Sequence, residues 1–146
     1  MKYPITFCLL LISAFGHSQS NNDSVAIVKL LEKAATTFRS GDAKAYADCW
    51  KIQPYSIIFI STADGKAFSI PAEALAKPSS SMGQGGFATA TNYRMSIHND
   101  NGWTSFDEVS TAKDGTKTYS YEMWMVEKMN SEWKLVAASM HFYKQP

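Results

Sequence analysis

Glu108 is the residue of this sequence whose surroundings are best suited to proton chemistry. It lies in a strand-like run, and strand alternation is expected to place it on one sheet face with Tyr93, Phe106 and Tyr121. A carboxyl among such side chains loses hydration, which raises its pKa, and a nearby phenol can act as a hydrogen-bond donor. Glu108 is therefore a candidate general base. The alternative is a Glu108 that reaches water or simply hydrogen-bonds a tyrosine.

A second acidic pair, Asp107 and Glu122, is predicted to lie directly opposed on neighbouring strands of the other sheet face. Like charges in that arrangement destabilise a sheet unless a cation or a proton intervenes. Arg94 and His141 lie diagonally across from these acids, so a structural salt-bridge network is the leading interpretation and an acid–base pair is the alternative. No HxxxH or HxH spacing is present, and we expect neither a metal ion nor a cofactor.

Three turns decide the face to which each of these residues points. Asn101-Gly102, Asp114-Gly115 and Asn130-Ser131 are interpreted as two-residue hairpin loops. A loop of four residues would keep every residue on its predicted face, whereas a loop of three residues would exchange the faces. The turns separate four predicted antiparallel strands, at Phe87–His98, Trp103–Ala112, Thr118–Glu127 and Trp133–Phe142.

The predicted inner face of this meander is aromatic and rich in methionine, and Tyr46 of a preceding helix is expected to point toward it. A stripe of this kind is first of all a core, but a cavity within it would suit an apolar or aromatic small molecule. The residues expected to line such a pocket are Tyr46, Tyr93, Met95, Phe106, Tyr121, Met123 and Met140.

The predicted outer face mixes charged side chains with Trp103, Trp124 and Trp133. Tryptophans surrounded by charge pairs are typical of a subunit interface, so we expect a homodimer formed through this face. The 146-residue chain has 14 basic and 13 acidic side chains and no basic stripe. This balance argues against nucleic acid or an anionic membrane as the partner.

Two antiparallel helices are predicted to precede the sheet. Apolar residues recur at helical spacing from Ile27 to Phe38, Gly41 ends this helix, and Asp42 caps a second, shorter one. The next elements are expected to be two strands and a short helix, at Ser56–Ser61, Ala67–Ile70 and Ala72–Lys77. The predicted class is α+β.

Residues 1–18 are predicted to be a secretory signal peptide, because Lys2 precedes an apolar run that ends in small residues. The run is shorter than the roughly 20 residues that span a bilayer, so we expect no membrane anchor. Residues 19–146 would then form one secreted or periplasmic domain. Cys49 is the only thiol left in this domain, and we expect it to be buried and structural.

The order of these elements resembles the nuclear transport factor 2-like superfamily, in its SnoaL-like branch. The matching motifs are Ser40-Gly41-Asp42 between the helices and the hairpin Glu122-x-Trp124-x-Val126-Glu127-Lys128 with Glu132-Trp133-Lys134-Leu135-Val136. The hairpin departs from its common form at Trp124, where Arg is common, and at Ser131, where Gly is common. The resemblance implies a cone-like fold, in which helices pack into the concave face of a curved antiparallel sheet, and frequent dimerisation through that sheet.

Steroid isomerases of this superfamily use a tyrosine, a carboxylate and a protonated aspartate. The corresponding positions here are Ala34, Ser61-Thr62 and Met123, so that mechanism is not carried over. The leading interpretation is a small-molecule-binding domain with an apolar cone pocket. The alternatives are an enzyme of isomerase, dehydratase or hydrolase type with Glu108 as general base, and a non-catalytic dimerisation or assembly module.

Overall fold

The computed structural model describes residues 13–75 and 77–145. The elements of this part are α1 (Ser13–Ser40), α2 (Ala43–Ala47), β1 (Ile57–Ser61), β2 (Ala67–Pro71), α3 (Ala72–Leu75), β3 (Phe87–His98), β4 (Asn101–Thr111), β5 (Lys117–Met129) and β6 (Glu132–Tyr143). The predicted order of elements and the α+β class are confirmed. The strand ends agree with the predicted ends to within about two residues, as is usual for element boundaries.

The strands form one mixed sheet in the order β2-β1-β6-β5-β4-β3. The predicted antiparallel meander, β3 to β6, is present, and β1 adds to its β6 edge in parallel. α1 lies across the concave face of this sheet, where Ile27, Leu31 and Ala34 are buried. The core therefore lies between one long helix and one face of the sheet, and among the described residues the opposite face has no covering layer.

α1 begins earlier than the sequence predicts and continues through Ser20–Ser24 without a break. An N-cap residue contributes only about 1 kcal/mol, which does not stop a helix that the preceding residues can extend. Most of the predicted signal peptide, residues 1–12, lies outside the described residues. Within the described residues, no helix combines the length and the apolar character that crossing a bilayer requires.

The junction between the two helices forms as predicted. Gly41 has a φ of +80° at the end of α1, and Oδ1 of Asp42 accepts the backbone N–H of Ala45 at 3.0 Å, capping α2. Cys49 follows α2 and is buried, and this burial raises the pKa of its thiol. A protonated, buried thiol is a poor nucleophile, in keeping with the structural role expected of Cys49.

The loop between β4 and β5 has three residues, 113–115, instead of the predicted two. The backbone N–H of Ala112 donates to the Thr116 carbonyl at 2.9 Å, and that of Gly115 donates to the Ala112 carbonyl at 3.0 Å. Gly115 has a φ of +85°, which completes a type I turn with a left-handed third residue. Because of the extra residue, every side chain of β5 points to the sheet face opposite to the one predicted.

This change of register corrects several expectations. Tyr121 and Met123, predicted to line a pocket, are 39% and 43% exposed on the outer face. Glu122 and Trp124, predicted to point outward, are 2% and 7% exposed and face the helices. Asp107 pairs with Tyr121 across the strands, so the predicted opposition of Asp107 and Glu122 does not occur.

The β5–β6 turn is the predicted two-residue loop, because Asn130 and Ser131 have φ values of 49° and 68°. Since β5 is turned over, Leu135 of β6 also faces inward, and it is fully buried. A bulge directly after Leu135 then shifts the register by one residue. Ala138 and Met140, beyond the bulge, face the helices as predicted.

The β3–β4 turn lies at Asn99-Asp100 and not at the predicted Asn101-Gly102. Because the displacement is two residues, the faces of these strands near the turn are unchanged. Gly102 lies inside β4, where an added Cβ would come within 2.9 Å of the Ser96 carbonyl oxygen. The glycine therefore permits a close approach of two strands and does not form the turn.

The predicted tryptophan surface is wrong for two of its three residues. Trp124 packs in the core, with its ring centroid 5.7 Å from that of Trp50. Trp133 is 5% exposed, and its indole N–H donates to Asp23 of α1 at 2.9 Å. Only Trp103 remains on the outer face, 40% exposed. Both corrections follow from the three-residue β4–β5 loop.

Candidate functional site

A cavity of about 990 Å³ lies between α1 and the concave face of the sheet. Aliphatic and aromatic side chains form most of its wall, among them Leu31, Phe38, Ile58, Ile60, Phe106, Met140 and Phe142. Cavities that bind small molecules typically measure about 300–1,000 Å³, so this one lies at the upper end of that range. We call it the cone cavity.

The cone cavity reaches the surface at the loop between α3 and β3. Residues 77–79 of this loop are exposed and also line the cavity. The loop is joined to the C-terminal end of α1 by two backbone hydrogen bonds, from Gly83 to the Phe38 carbonyl at 3.0 Å and from Gly85 to the Arg39 carbonyl at 2.9 Å. The same helix end therefore positions both the mouth of the cavity and Arg39.

Glu122 of β5 is a buried carboxyl in the cavity wall, 2% exposed. Its Oε1 accepts a hydrogen bond from the Ser120 hydroxyl and its Oε2 accepts one from the Trp124 indole, both at 2.8 Å. Burial and the nearby charge of Glu108 raise the pKa of Glu122 to about 7, against the opposing effect of the two hydrogen bonds and of Arg39. A carboxyl with this pKa can take up and release a proton near neutral pH, as a general acid or base must.

Arg39 in the last turn of α1 forms an ion pair with Glu108 of β4. Its Nη2 donates to Oε1 of Glu108 at 3.1 Å, and the two side chains are 20% and 13% exposed. Burial raises the pKa of Glu108, and the guanidinium offsets this only in part. Nε of Arg39 is buried and has no hydrogen-bond partner among the described residues. The ion pair thus leaves donors of the guanidinium unused in the cavity wall.

Two tyrosines border this polar region of the cone cavity. Burial raises the pKa of Tyr46 to about 12, and burial together with nearby carboxylates raises that of Tyr93. Both phenols therefore stay protonated at neutral pH and can donate an O–H group. The ring of Tyr46 packs against Phe38 at 5.3 Å between centroids, and that of Tyr93 packs against Phe106 at 5.1 Å, which fixes their directions.

The predicted site residues divide into three groups. Those that line the cone cavity are Tyr46, Tyr93, Phe106, Glu108 and Met140. Met95 packs against the hydrophobic core outside the cavity wall, and Tyr121 and Met123 lie on the outer face. The role of Glu108 as a general base stays a prediction, and Arg39 already engages its carboxylate.

Sequence reasoning missed Arg39 and assigned Glu122 to the wrong face. Arg39 lies four residues after Ala35 and eight after Leu31, and all three line the cone cavity. This spacing marks one face of a helix, so the signal for Arg39 was present in the sequence. Glu122 can be placed in the cavity only with the correct length of the β4–β5 loop.

The polar residues of the outer face do not form the predicted salt-bridge network. Asp107 accepts a hydrogen bond from the Asn92 amide at 2.7 Å, and Nε2 of His141 pairs with the Ser139 hydroxyl at 2.8 Å. Both are contacts with uncharged neighbours. Within residues 13–75 and 77–145, no group of three or more His, Cys, Asp and Glu side chains is arranged to hold a metal ion.

Solved structures with a similar fold come from several bacteria. An NTF2-like protein with a cystatin-like fold from Novosphingobium aromaticivorans has a TM-score of 0.68 and 15% identity, over 93% of this chain and 92% of that chain. A protein of unknown function with a cystatin-like fold from Nostoc punctiforme has a TM-score of 0.67 and 13% identity, over 83% and 91%. For an NTF2-like protein from Cytophaga hutchinsonii the values are 0.64 and 16%, over 83% and 98%.

At such identities, the similarity establishes the fold alone. The predicted NTF2-like fold, with helices in the concave face of the sheet, is confirmed. The SnoaL-like branch stays a prediction. No family model matches the sequence, and no curated protein matches it.

Proposed function

We propose that this domain, which has the NTF2-like fold, binds a small and largely apolar molecule in the cone cavity. The observation that carries the proposal is the space itself, about 990 Å³ with apolar walls and one polar region around Arg39, Glu108 and Glu122. Protein interiors are close-packed, and unfilled apolar space destabilises them. A cavity of this size that opens to the surface therefore favours a binding role over that of a filled assembly module.

A pair of neighbouring substitutions tests this proposal. Ala90 of β3 lines the cone cavity, whereas Thr91, the next residue, is exposed and does not line it. We expect Ala90→Phe to weaken the binding of Nile red, a neutral apolar dye, by at least about tenfold, since a phenyl ring would occupy the binding space. Thr91→Phe should bind the dye as the native protein does.

Fluorescence titration measures the affinities, and circular dichroism verifies that both variants are folded. Sterols, aromatics and apolar acids should then be screened for an increase in melting temperature, which a ligand produces when it binds only the folded state. Equal dye affinity in the native protein and in a folded Ala90→Phe variant would mean that the dye binds elsewhere, and the proposal would be rejected.

We propose proton transfer on the bound molecule as a second function, with Glu122 as the base. The supporting observation is that Glu122 is held by Ser120 and Trp124 within the cavity wall with a pKa of about 7. We favour Glu122 over Glu108 for this role because the carboxylate of Glu108 already pairs with Arg39. In reactions of isomerase or dehydratase type, a base such as Glu122 removes a proton from a carbon atom of the substrate.

Exchange of carbon-bound hydrogen for deuterium in D2O, followed by NMR on a bound compound, tests the second function. The exchange rate should rise with pH through about 7, as Glu122 becomes ionised. In Glu122→Gln, we expect binding to persist and exchange to fall by at least about a hundredfold. Equal exchange rates in the native protein and Glu122→Gln would leave a binding domain without this chemistry.

We also propose that the domain self-associates through the outer face, with a corrected set of residues. Trp103, Met123 and Met125 are 40%, 43% and 52% exposed there, and exposed apolar side chains on one face favour association. Sedimentation velocity should show a dimer that Met125→Lys converts to a monomer. A native protein that is monomeric at high concentration would end this proposal.

We retain secretion or a periplasmic location as a proposal, supported by Lys2 and the apolar run after it. Expression of the full chain with N-terminal sequencing of the exported product is the test. A mature protein that begins near residue 17 or 19 would support it, and retention of Met1 in the cytoplasm would contradict it.

A further inference from the structure

We propose that the ligand of the cone cavity is a neutral, mostly hydrocarbon molecule that carries a carbonyl oxygen, as a ketone or an ester does. The carbonyl oxygen would accept hydrogen bonds from Arg39 and from the Tyr93 hydroxyl. This inference rests on the proposed binding function and adds the chemical class of the ligand. It follows from the balance of hydrogen-bonding groups and of charge in the cavity wall.

Near Glu122, hydrogen-bond donors of Arg39 and Tyr93 have no partner among the described residues. A guanidinium has five N–H donors, and Arg39 makes one hydrogen bond, from Nη2 to Glu108. The Tyr93 hydroxyl takes part in no hydrogen bond with a described residue. Acceptors remain as well, since each oxygen of Glu122 accepts one hydrogen bond and keeps a second lone pair, the second oxygen of Glu108 is free, and the exposed Glu32 also lines the cavity. A donor with no partner is nevertheless costlier to leave than the second lone pair of an oxygen that already accepts. A ligand complements this set by bringing an acceptor.

The charges of the wall favour a neutral acceptor over a carboxylate. The positive charge of Arg39 is matched by Glu108 at 3.1 Å, and Glu122 adds a second carboxyl that is itself buried. Glu32 and Lys77, which also line the cavity, are exposed to solvent and opposite in charge. A ligand carboxylate would add a further negative charge to a region where solvent cannot screen it. A carbonyl oxygen accepts the same hydrogen bonds without that cost.

The titratable groups that face Glu122 come from each element packed around it. They are Arg39 of α1, Tyr46 of α2, Tyr93 of β3 and Glu108 of β4, while β6 places Met140 opposite it. Because its pKa is raised to about 7, Glu122 changes charge near neutral pH. Binding of a neutral ligand should therefore depend little on pH, whereas an anion should bind more weakly and a cation more tightly as the pH rises above 7.

Four compounds with the same chain length separate the possible ligand classes: 2-decanone, decane, decanoate and decylamine. Dissociation constants for the native protein are measured by displacement of Nile red at pH 5.5 and 8.5. We expect 2-decanone to bind about tenfold more tightly than decane, since one or two hydrogen bonds correspond to such a factor. We also expect 2-decanone to bind more tightly than either charged compound at both pH values.

Two variants identify the donors. Tyr93→Phe removes one hydroxyl, and the double variant Arg39→Met with Glu108→Gln removes the guanidinium without leaving a buried carboxylate unpaired. In each variant the preference for 2-decanone over decane should fall by at least about threefold, because both compounds are compared in the same cavity. The decane value serves as the internal control for folding and cavity shape.

Each alternative result has a distinct meaning. Equal affinity for 2-decanone and decane would overturn the carbonyl proposal and leave the binding function intact. Tightest binding of decanoate, or of decylamine at pH 8.5, would overturn it in favour of an anionic or a cationic ligand. If neither Nile red nor any of the four compounds binds, the proposed binding function fails as well.

Discussion

Two ion pairs connect α1 to the sheet, one in the N-terminal half of the helix and one in its last turn, and they differ in how fully their polar groups are used. In the N-terminal half, Oδ1 of Asp23 accepts from Lys128 at 2.7 Å and from the Trp133 indole at 2.9 Å. The Lys128 ammonium also lies 5.1 Å from the centroid of the Trp133 ring. Burial alone would raise the pKa of Asp23, but these hydrogen bonds outweigh it and the pKa is lowered.

At the C-terminal end of α1, burial has the larger effect. Arg39 and Glu108 share one hydrogen bond, the pKa of Glu108 is raised, and that of the neighbouring Glu122 is raised to about 7. Nε of Arg39 has no partner in the described part of the chain. These groups form the polar region of the cone cavity, whereas the Asp23 cluster lies outside it.

The polar groups around Asp23 are paired within the fold, whereas those of the cone cavity are paired only in part. Desolvation of Asp23 is compensated by partners within the fold, so the cluster fastens α1 to the β5–β6 hairpin. Desolvation of Glu108 and Glu122 is compensated only in part, so these groups retain the capacity to bind a ligand or a proton. Substitutions in the Asp23 cluster should therefore affect stability, and those at the cavity should affect pH dependence and binding.

Trp133→Ala should have the largest effect on stability. It removes a side chain that is 5% exposed, together with the hydrogen bond to Asp23 and the contact with Lys128. We expect the free energy of unfolding to fall by about 3–5 kcal/mol, measured by urea denaturation at pH 7. Trp103→Ala, which removes a 40% exposed tryptophan, is the control and should cost less than about 1 kcal/mol.

Glu122→Gln should change how stability depends on pH. The pKa of Glu122 rises from 4.5 to about 7 on folding, so the folded state holds this proton more tightly than the unfolded state. The native protein should therefore lose about 2–3 kcal/mol as the pH rises from 4.5 through 7. Gln cannot ionise, so Glu122→Gln should lack this loss and should be the more stable protein at pH 8.5.

Urea denaturation of both proteins between pH 5 and 8.5 measures this difference. Parallel stability profiles would show that Glu122 ionises with an ordinary pKa in the folded state. The contrast between the lowered pKa of Asp23 and the raised pKa of the cavity carboxyls would then be lost.

Asp23→Asn should have a smaller effect, about 1 kcal/mol at pH 7, because it removes the charge that pairs with Lys128 and keeps an acceptor for Trp133. Since the pKa of Asp23 is lowered on folding, its contribution is present above the unfolded value of 3.8 and is lost as the pH falls through the lower folded value. The difference between Asp23→Asn and the native protein should therefore shrink at low pH.

Glu108→Gln is the matched variant at the C-terminal end of α1. The pKa of Glu108 is raised on folding even with Arg39 beside it, so ionisation of Glu108 disfavours the folded state. Replacing it by neutral Gln should therefore leave stability at pH 7 unchanged or slightly increased. A loss larger than that of Asp23→Asn in the same urea assay would show that Glu108 also stabilises the fold, and the contrast between the two clusters would fail.

Local signals in the sequence were sufficient for much of the fold. The turn at Asn130-Ser131, the cap at Asp42 and the position of β3 all depend on neighbouring residues, and all three agree with prediction. Tyr93 and Glu108 were also placed on the correct face. The turn between their strands lies two residues from its predicted position, and a displacement of two residues leaves the faces unchanged.

The error at Asp114-Gly115 has a specific cause. The dipeptide is compatible with a two-residue turn and also with a three-residue loop that ends in a left-handed glycine. The same three-residue form occurs at Asp64-Gly65, where Gly65 has a φ of +85°. The residues around these turns do not specify which of the two forms is adopted. At Asp114-Gly115, the form adopted determines the sheet face to which every side chain of β5 points.

The sequence by itself determined the kinds of element, their order, the cone-like class of fold and the presence of one carboxyl, Glu108, among apolar side chains. Only the tertiary structure decided that Glu122 joins it in the cavity and that Trp124 and Trp133 lie in the core. The physical reason is that side chains alternate with a period of two along a strand. One extra loop residue or one bulge therefore exchanges the faces, and packing of the whole sheet against α1 selects between them.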